Sequence, residues 1–216
     1  MKLVGMLTSP YTRRVAIGLT DLGICFAHVA ISAFSGITEF RALNPVARAP
    51  TLFLDDGSML MDSHVILEHF DRSAGERSLW PRDAGLRARA AALLGFTQTA
   101  CDKAVQLIYE REMRPGDKQY ADWSNRVSAQ ITAACALLED LAQPDVLWLE
   151  PGRLTLAGIS LAVLCTFMGH RVPDLWDGQK FPKLGAFREQ AEELAVFRRW
   201  AYPPAAPSLA AAPLWP

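Results

Sequence analysis

The chain has 216 residues, of which 50% are hydrophobic and 21% charged, and its 22 basic and 23 acidic side chains leave a net charge of −1. This length suffices for one large domain or two small ones with a substantial core. The two signs are balanced in both halves of the sequence, which argues against nucleic acid or an anionic membrane as a partner.

The first 75 residues alternate between short strand patterns and short helix patterns. Lys2 leads directly into an apolar strand pattern, so we expect no signal peptide. The predicted elements are, in chain order, a strand over 3–7, a helix over 11–22, a strand over 26–31, a short helix over 35–44, strands over 51–54 and 59–61, and a helix over 63–74. This β-α-β-α-β-β-α order predicts a thioredoxin-like α+β domain over residues 1–75.

From residue 84 onward the apolar side chains recur every three or four residues, which is typical of helices. The predicted helices span 84–112, 117–142, 155–168 and 183–199. They predict an all-α helical-bundle domain over 84–200, joined to the first domain by a linker over 76–83. The alanine- and proline-rich residues 201–216 have no such pattern and are predicted to form a loose tail.

The third of these helices has an incomplete capping sequence. Thr155 is predicted to cap it by accepting a hydrogen bond from the backbone N–H of Gly158. Glycine at that position supplies no carboxylate to reach back to Thr155, and it lowers the local helix propensity. We therefore expect either a weaker first turn in this helix or a compensating contact elsewhere in the fold.

The cysteines point to a reducing compartment and to no metal site. Cys25, Cys101, Cys135 and Cys165 are widely separated and have neither close pairing nor metal-ligand spacing. We expect all four to be buried, reduced thiols of a cytoplasmic protein.

Ser9 stands at the end of the first predicted strand, immediately before a helix. The hydroxyl and the N–H groups of that helix start favour an anion, so a thiol bound there is drawn toward thiolate. No histidine or lysine lies near Ser9 in the sequence to act as its base, which argues against a serine nucleophile. The alternative interpretation is that Ser9 and Pro10 only cap the helix.

Two further segments describe a place where a peptide-like ligand would bind. Pro50 precedes an apolar strand pattern and keeps Ala49 extended, available for strand-like backbone pairing. Asp62 and Ser63 stand at a predicted helix start, where N–H groups and the helix dipole attract the charged end of a ligand. The alternative for this pair is an ordinary helix start.

With the Leu-Trp-Pro motif at 79–81, these segments make the chain resemble the cytosolic glutathione S-transferase family, from residue 1 to about residue 199. The Thr-Ser-Pro sequence at 8–10, which lacks a cysteine, is similar to that of bacterial serine-type members. The resemblance implies a homodimeric enzyme that takes glutathione as co-substrate, with no further cofactor. It would activate the thiol for attack on a small electrophile, or for a related isomerase, lyase or peroxidase reaction. The alternative is a glutathione-binding or scaffold protein with little turnover.

The same resemblance implies roles for individual residues. Ser9 and Thr8 match the catalytic positions, with Ser9 also in contact with glutathione. Ala49 matches the residue that pairs its backbone with the cysteinyl unit, and Pro50 matches a cis-proline that holds it there.

Three more residues match positions that hold the two ends of glutathione. Ser63 and the N–H groups behind it suit the γ-glutamyl carboxylate, and Asp62 suits the ammonium group. Arg48 replaces the usual lysine or glutamine and would clamp the glycyl carboxylate; the alternative is a solvated surface arginine.

The resemblance also implies a pocket for the second, apolar substrate between the two domains. Its walls would combine apolar faces with few polar contacts. The candidates are Tyr11, Phe34, Tyr109, Arg111 and Met113.

Overall fold

The computed structural model describes residues 1–142, 153–176 and 178–204. The chain divides into two compact units. The N-terminal unit comprises Met1–Ser78 together with the described residues 196–204, and the helical unit comprises Leu79–Ala195. The break after Ser78 lies inside the segment predicted as a linker, whereas residues 196–200, predicted to belong to the helical domain, are part of the N-terminal unit.

The N-terminal unit has the predicted order of strands and helices. Its elements are β1 (Lys2–Val4), α1 (Pro10–Asp21), β2 (Ala27–Val29), α2 (Ile37–Leu43), β3 (Thr51–Phe53), β4 (Met59–Met61) and α3 (Ser63–Asp71). The strands form one mixed sheet in the order β2-β1-β3-β4, in which β1 pairs parallel with β2 and antiparallel with β3. The predicted thioredoxin-like fold is therefore confirmed.

The core of this unit explains why the short strands hold together. Leu3 and Val4 of β1 and Leu52 of β3 are fully buried, as are Ile66 and Leu67 of α3. Strands covered by helices read as apolar runs, and this is the pattern that marked these segments in the sequence.

The first strand is shorter than the predicted 3–7 because the backbone turns at Gly5. Gly5 has a φ of +142°, a conformation that side chains rarely adopt. Its N–H donates to the carbonyl of Val29 at 3.0 Å, which extends the β1–β2 pairing by one bond before the chain leaves the sheet.

The helical unit contains α4 (Ala84–Glu112), α5 (Ala121–Leu141), α6 (Leu156–Arg171) and α7 (Pro182–Glu192). Helix α4 has the predicted bounds, and the helical second region of the fold is confirmed. Helix α6 is the core of the unit, since every residue from Leu156 to Met168 is buried. Of the helices in the described ranges, none has the length and apolarity needed to cross a membrane.

The single helix predicted over 183–199 is wrong. The structure has α7, which ends at Glu192, and a separate short helix α8 (Ala195–Arg199). Between them the N–H of Leu194 bonds to the carbonyl of Ala191, three residues back, which tightens the turn and ends the α-helical ladder. No glycine or proline marks this break in the sequence.

The predicted cap of α6 is confirmed. The hydroxyl of Thr155 accepts a hydrogen bond from the N–H of Gly158 at 3.0 Å, and both residues are buried.

The expectation that all four cysteines are buried is wrong for one of them. Cys25, in the turn between α1 and β2, is exposed, whereas Cys101, Cys135 and Cys165 are buried. Burial raises the pKa of the Cys135 thiol to about 11 and that of Cys165 well above its ordinary value, so both remain protonated near neutral pH.

Candidate functional site

Ser9 occupies the start of α1 as the sequence predicts. Its N–H donates to the carbonyl of Met6 at 3.0 Å, which forms the turn out of β1, and Pro10 fills the first helical position. The Ser9 hydroxyl accepts from the N–H of Thr12 at 3.4 Å, a long hydrogen bond, and Ser9 itself is half-buried. Ser9 is therefore a helix cap whose oxygen is held only weakly and still has capacity to donate to a bound anion.

The Ala49–Pro50 bond is cis, as the resemblance implied, and Pro50 is buried just before β3. In the part of the chain that the structure describes, the backbone N–H and carbonyl of Ala49 have no hydrogen-bond partner. Ala49 is also only half-buried. It therefore presents a strand-like edge to which an extended peptide can pair.

Asn44 organises the loop that carries Ala49. Its side-chain Nδ2 donates to the hydroxyl of Thr51 at 2.9 Å, and its Oδ1 accepts from the N–H of Val46 at 2.9 Å. Thr51 in turn donates to the carbonyl of Arg48 at 2.8 Å. Asn44 is fully buried, so these bonds replace those it would make to water. The sequence analysis did not identify this residue; its signal was the Asn-Pro pair that ends α2.

Asp62 caps α3 from an unusual backbone conformation. Its φ is +77°, which is uncommon for any residue other than glycine, and its Oδ1 accepts from the N–H of His64 at 2.8 Å. Strained backbone of this kind is concentrated at functional sites. The segment is therefore a helix start whose backbone fixes the direction of the Asp62 carboxylate, and ligand binding at this helix start stays a prediction.

The carboxylate of Asp62 also faces the loop that carries Ala49. One guanidinium nitrogen of Arg48 lies 3.5 Å from its Oδ2, and both side chains are largely exposed. An exposed pair at this distance contributes little to stability. Ser63, the next residue, is buried at the first position of α3. The structure therefore brings the predicted binding residues Arg48, Asp62 and Ser63 together at one helix start.

Gly5 links the two remaining parts of the site. A Cβ atom at this position would lie 2.6 Å from the hydroxyl of Thr12, in the first turn of α1, and 3.1 Å from the Cβ of Ala49. Only the absence of a side chain at Gly5 allows the helix start that carries Ser9 and the loop that carries Ala49 to approach this closely. The sequence analysis did not single out Gly5, because nothing local marks it.

The residues predicted for a second-substrate pocket divide between the two units. Tyr11 and Phe34, both half-buried, lie in the N-terminal unit, at the start of α1 and before α2. Tyr109, Arg111 and Met113 lie at the C-terminal end of α4 in the helical unit.

Arg111 is engaged within the helical unit. Its guanidinium donates two hydrogen bonds to the carboxylate of Asp174, at 3.0 and 2.8 Å, and this arrangement holds the pKa of Asp174 below its ordinary value. Arg111 is thus oriented by a partner on the helical unit, and its assignment to the pocket stays a prediction.

Within the described residues, no group of three or more histidine, cysteine, aspartate or glutamate side chains is arranged to hold a metal ion.

The chain is similar to known proteins in its N-terminal region and over most of its length. Residues 3–78 match the model of the glutathione S-transferase N-terminal domain. The uncharacterized GST-like protein YibF of Escherichia coli strain K12 is 27% identical over 166 residues, which cover 76% of this chain and 80% of that protein.

Solved structures extend the likeness over nearly the whole chain. A glutathione transferase family member from Pseudomonas fluorescens Pf-5, with bound S-(propanoic acid)-glutathione, is 28% identical with a TM-score of 0.77, covering 94% of this chain and 100% of that one. A glutathione S-transferase from Methylobacterium radiotolerans JCM 2831, in complex with glutathione sulfonate, has a TM-score of 0.85 at 24% identity and covers 96% and 97% of the two chains. The latter likeness shows the fold.

Proposed function

We infer that this chain, whose residues 3–78 match the glutathione S-transferase N-terminal domain, binds glutathione in its N-terminal unit and acts as a glutathione transferase. The observation that carries this proposal is the unpaired backbone of Ala49 beside the helix start of Asp62 and Ser63. An extended tripeptide pairs with the first and places its charged γ-glutamyl end on the second. Solved relatives with bound glutathione or its derivatives support the same ligand.

In this arrangement each of the predicted residues has a separate task. The backbone of Ala49 pairs with the cysteinyl unit and fixes the register of the ligand. Ser63 and the N–H groups of α3 receive the carboxylate, while Asp62, already directed by its bond to His64, receives the ammonium group. Arg48, which is exposed and only loosely paired with Asp62, is available to the glycyl carboxylate.

The chemical step we propose is activation of the glutathione thiol by Ser9. The hydroxyl donates to the sulfur, and the start of α1 adds the positive end of its dipole, so that the thiolate is favoured over the thiol. The thiol proton leaves to solvent, and the thiolate forms a bond from sulfur to the electrophilic carbon. In a substitution the bond from that carbon to the leaving group breaks and the leaving group keeps the electron pair; in an addition the neighbouring atom takes the electron pair and a proton from solvent. Thr8 is the second candidate donor at this position.

Replacing Ser9 by alanine is expected to lower kcat by about 10- to 100-fold, because one hydrogen bond to an anion contributes about 1.5–3 kcal/mol. The pH at which activity appears should rise, since only the thiolate gains from the hydroxyl. The measurement is the pH–rate profile with an excess of glutathione, together with the thiolate absorbance of the complex. The matched control is Ser128→Ala on α5, in the helical unit.

An unmoved profile for the Ser9 variant would show that another group stabilises the thiolate. Thr8→Val and Tyr11→Phe, measured in the same way, would then identify the donor.

The competing proposal is a glutathione-binding or scaffold protein with little turnover, since a fold does not by itself confer an activity. The two proposals differ in the pKa of the bound thiol. A thiol pKa lowered well below its ordinary value of about 8.5 supports the enzyme, whereas an unshifted value supports the scaffold. The long bond that leaves the Ser9 oxygen available favours the enzyme.

The electrophile and its pocket are further parts of the proposal. We propose a small, apolar electrophile, with Tyr11, Phe34, Tyr109, Arg111 and Met113 as candidate contacts. Isomerase, lyase and peroxidase variants of the reaction remain within it. A screen of electrophile classes with glutathione identifies the reaction, and Tyr109→Ala is then expected to raise the KM for the electrophile while leaving that for glutathione unchanged.

We also propose that the protein is a cytoplasmic homodimer. Large apolar side chains are exposed on both units, among them Val46, Met59 and Val65 on the first and Leu137 and Leu141 on the second. Light scattering at micromolar concentration is expected to give twice the 23.8 kDa mass of one chain. A mass near one chain would rule the dimer out.

A further inference from the structure

The chain returns to the N-terminal unit at its far end. Residues 196–202, here called the C-terminal segment, belong to that unit although they follow the whole helical unit in sequence. Phe197 of this segment is fully buried. The guanidinium carbon of Arg13, a residue of α1, lies 5.6 Å from the centre of the Phe197 ring. The segment is therefore part of the core that surrounds α1.

Trp200 in this segment is bonded to α1 at both of its ends. Its carbonyl accepts a hydrogen bond from Nε of Arg13, in the first turns of the helix, at 2.8 Å. Its indole Nε1 donates to the hydroxyl of Thr20, in the last turn, at 2.8 Å. One residue thus spans the length of α1 and fixes it along its axis.

The Trp200 ring also reaches the strand side of the unit. It stacks on Phe26, with ring centres 5.3 Å apart and an angle of 17° between the planes, and it meets the edge of His28 at 5.7 Å. His28 bonds through Nε2 to the carbonyl of Gly5 at 2.8 Å. Gly5 begins the turn that leads to Ser9. Trp200 therefore contacts the residues on both sides of that turn: His28, which bonds to Gly5 before it, and Arg13 of α1 after it.

The Arg13 side chain that contacts Trp200 is buried, so its polar groups must find their hydrogen-bond partners within the protein. Arg13 is fully buried, and a buried guanidinium is stable only where acceptors replace its hydration. The Trp200 carbonyl is one such acceptor. The N–H of Arg13 donates to the carbonyl of Ser9 at 3.0 Å, so the residue held by Trp200 is also the one that closes the first helical bond onto Ser9.

We propose that the C-terminal segment positions Ser9, with Trp200, Arg13 and Thr20 acting as positioning residues that hold the start of α1 against the bound thiol. The inference rests on the proposed function of Ser9. None of the three residues needs to touch glutathione. They act by fixing where the hydroxyl stands, and a hydrogen bond to sulfur weakens steeply when its donor is misplaced.

The test uses two substitutions that remove the same bond from opposite sides, Thr20→Val and Trp200→Phe. Each is expected to lower kcat by about 3- to 10-fold and to raise the pKa of the bound glutathione thiol, with the KM for glutathione unchanged within twofold. The affinity is maintained because Ala49, Asp62 and Ser63 lie on other elements. The double variant should be no worse than Trp200→Phe alone, because the bond is lost only once.

Thr99→Val is the matched control. Thr20 and Thr99 each donate to the carbonyl four residues back, at 2.8 and 2.9 Å, but only Thr20 also accepts from a tryptophan. The control removes the same helical bond on α4 and is expected to leave kcat and the thiol pKa at their original values.

A second readout is independent of activity. In the unliganded protein, the amide of Arg13 reports on the first turn of α1, and its hydrogen exchange is expected to accelerate at least tenfold in Trp200→Phe and not in Thr99→Val. If the pKa of the glutathione thiol is unshifted when it is bound to the original protein, the proposed function of Ser9 fails. The hydrogen-exchange rate of the Arg13 amide then decides by itself whether the C-terminal segment holds the start of α1. Should the original protein lower that pKa, a variant that melts earlier with unchanged thiol pKa and exchange would overturn it.

Discussion

Glutathione affinity is expected to fall by about 100-fold or more when Asp62 is replaced by asparagine and Ser63 by alanine together. In the proposed binding mode each residue contributes a contact to a charged group of the ligand, and such contacts contribute about 1.5–3 kcal/mol each. Every 1.4 kcal/mol corresponds to a factor of ten. Both residues stand at the start of α3, where the carboxylate of Asp62 is already directed by its bond to the N–H of His64.

The choice of asparagine at 62 separates binding from folding. Asparagine keeps an oxygen for the helix cap and tolerates the φ of +77°, whereas alanine would lose the cap and meet the strained backbone without compensation. Asp83→Asn is the matched control, because Asp83 caps α4 by accepting from the N–H of Leu86, also at 2.8 Å. If calorimetry gives the double variant the same glutathione affinity as this control, the γ-glutamyl end of glutathione does not bind at the start of α3.

Local patterns in the sequence were sufficient for elements whose boundaries have local causes. Helix α4 begins after Asp83, which caps it, and continues with unbroken apolar spacing to Glu112, so its bounds follow from the sequence. The break between α7 and α8 has no such marker. It depends on Val196 and the residues after it joining the N-terminal unit, a choice made by tertiary packing.

The same distinction applies to the candidate site. Ser9, Pro50 and Asp62 were identifiable because each stands at the end of an element where caps and turns have characteristic residues. Gly5 and Asn44 were not identified as site residues, because their roles depend on the residues that lie beside them in the folded structure. A linear sequence does not show that Gly5 admits Ala49, and the Asn-Pro pair marks the end of a helix without showing that the Asn44 side chain bonds across the loop.

Contacts between residues far apart in the sequence cannot be predicted from local patterns. Arg13 looks like a surface residue of an amphipathic helix, and yet it is fully buried with its Nε bonded to the carbonyl of Trp200. The two residues are 187 positions apart, and no periodicity connects them. Cys25 is the converse case, since cysteine is usually buried and this one is exposed.

Asn44 gives the second large effect. Asn44→Ala is expected to lower the free energy of unfolding by about 2–4 kcal/mol, because it removes the fully buried donor to Thr51 and the acceptor of the Val46 N–H. For a chain of this size the melting temperature should fall by about 5–15 °C. Asn125→Ala, on the exposed face of α5, is the control and should leave it unchanged.

The same variant links stability to binding, because the network of Asn44 and Thr51 holds the loop through the carbonyl of Arg48. Without it the Ala49 backbone must be ordered by the ligand, and the ordering entropy is subtracted from the binding energy. Glutathione affinity is therefore expected to fall at temperatures where the variant is fully folded, although Asn44 has no place in our assignment of ligand contacts. Calorimetry that finds the melting temperature lowered but the affinity unchanged would show that Asn44 serves only the fold.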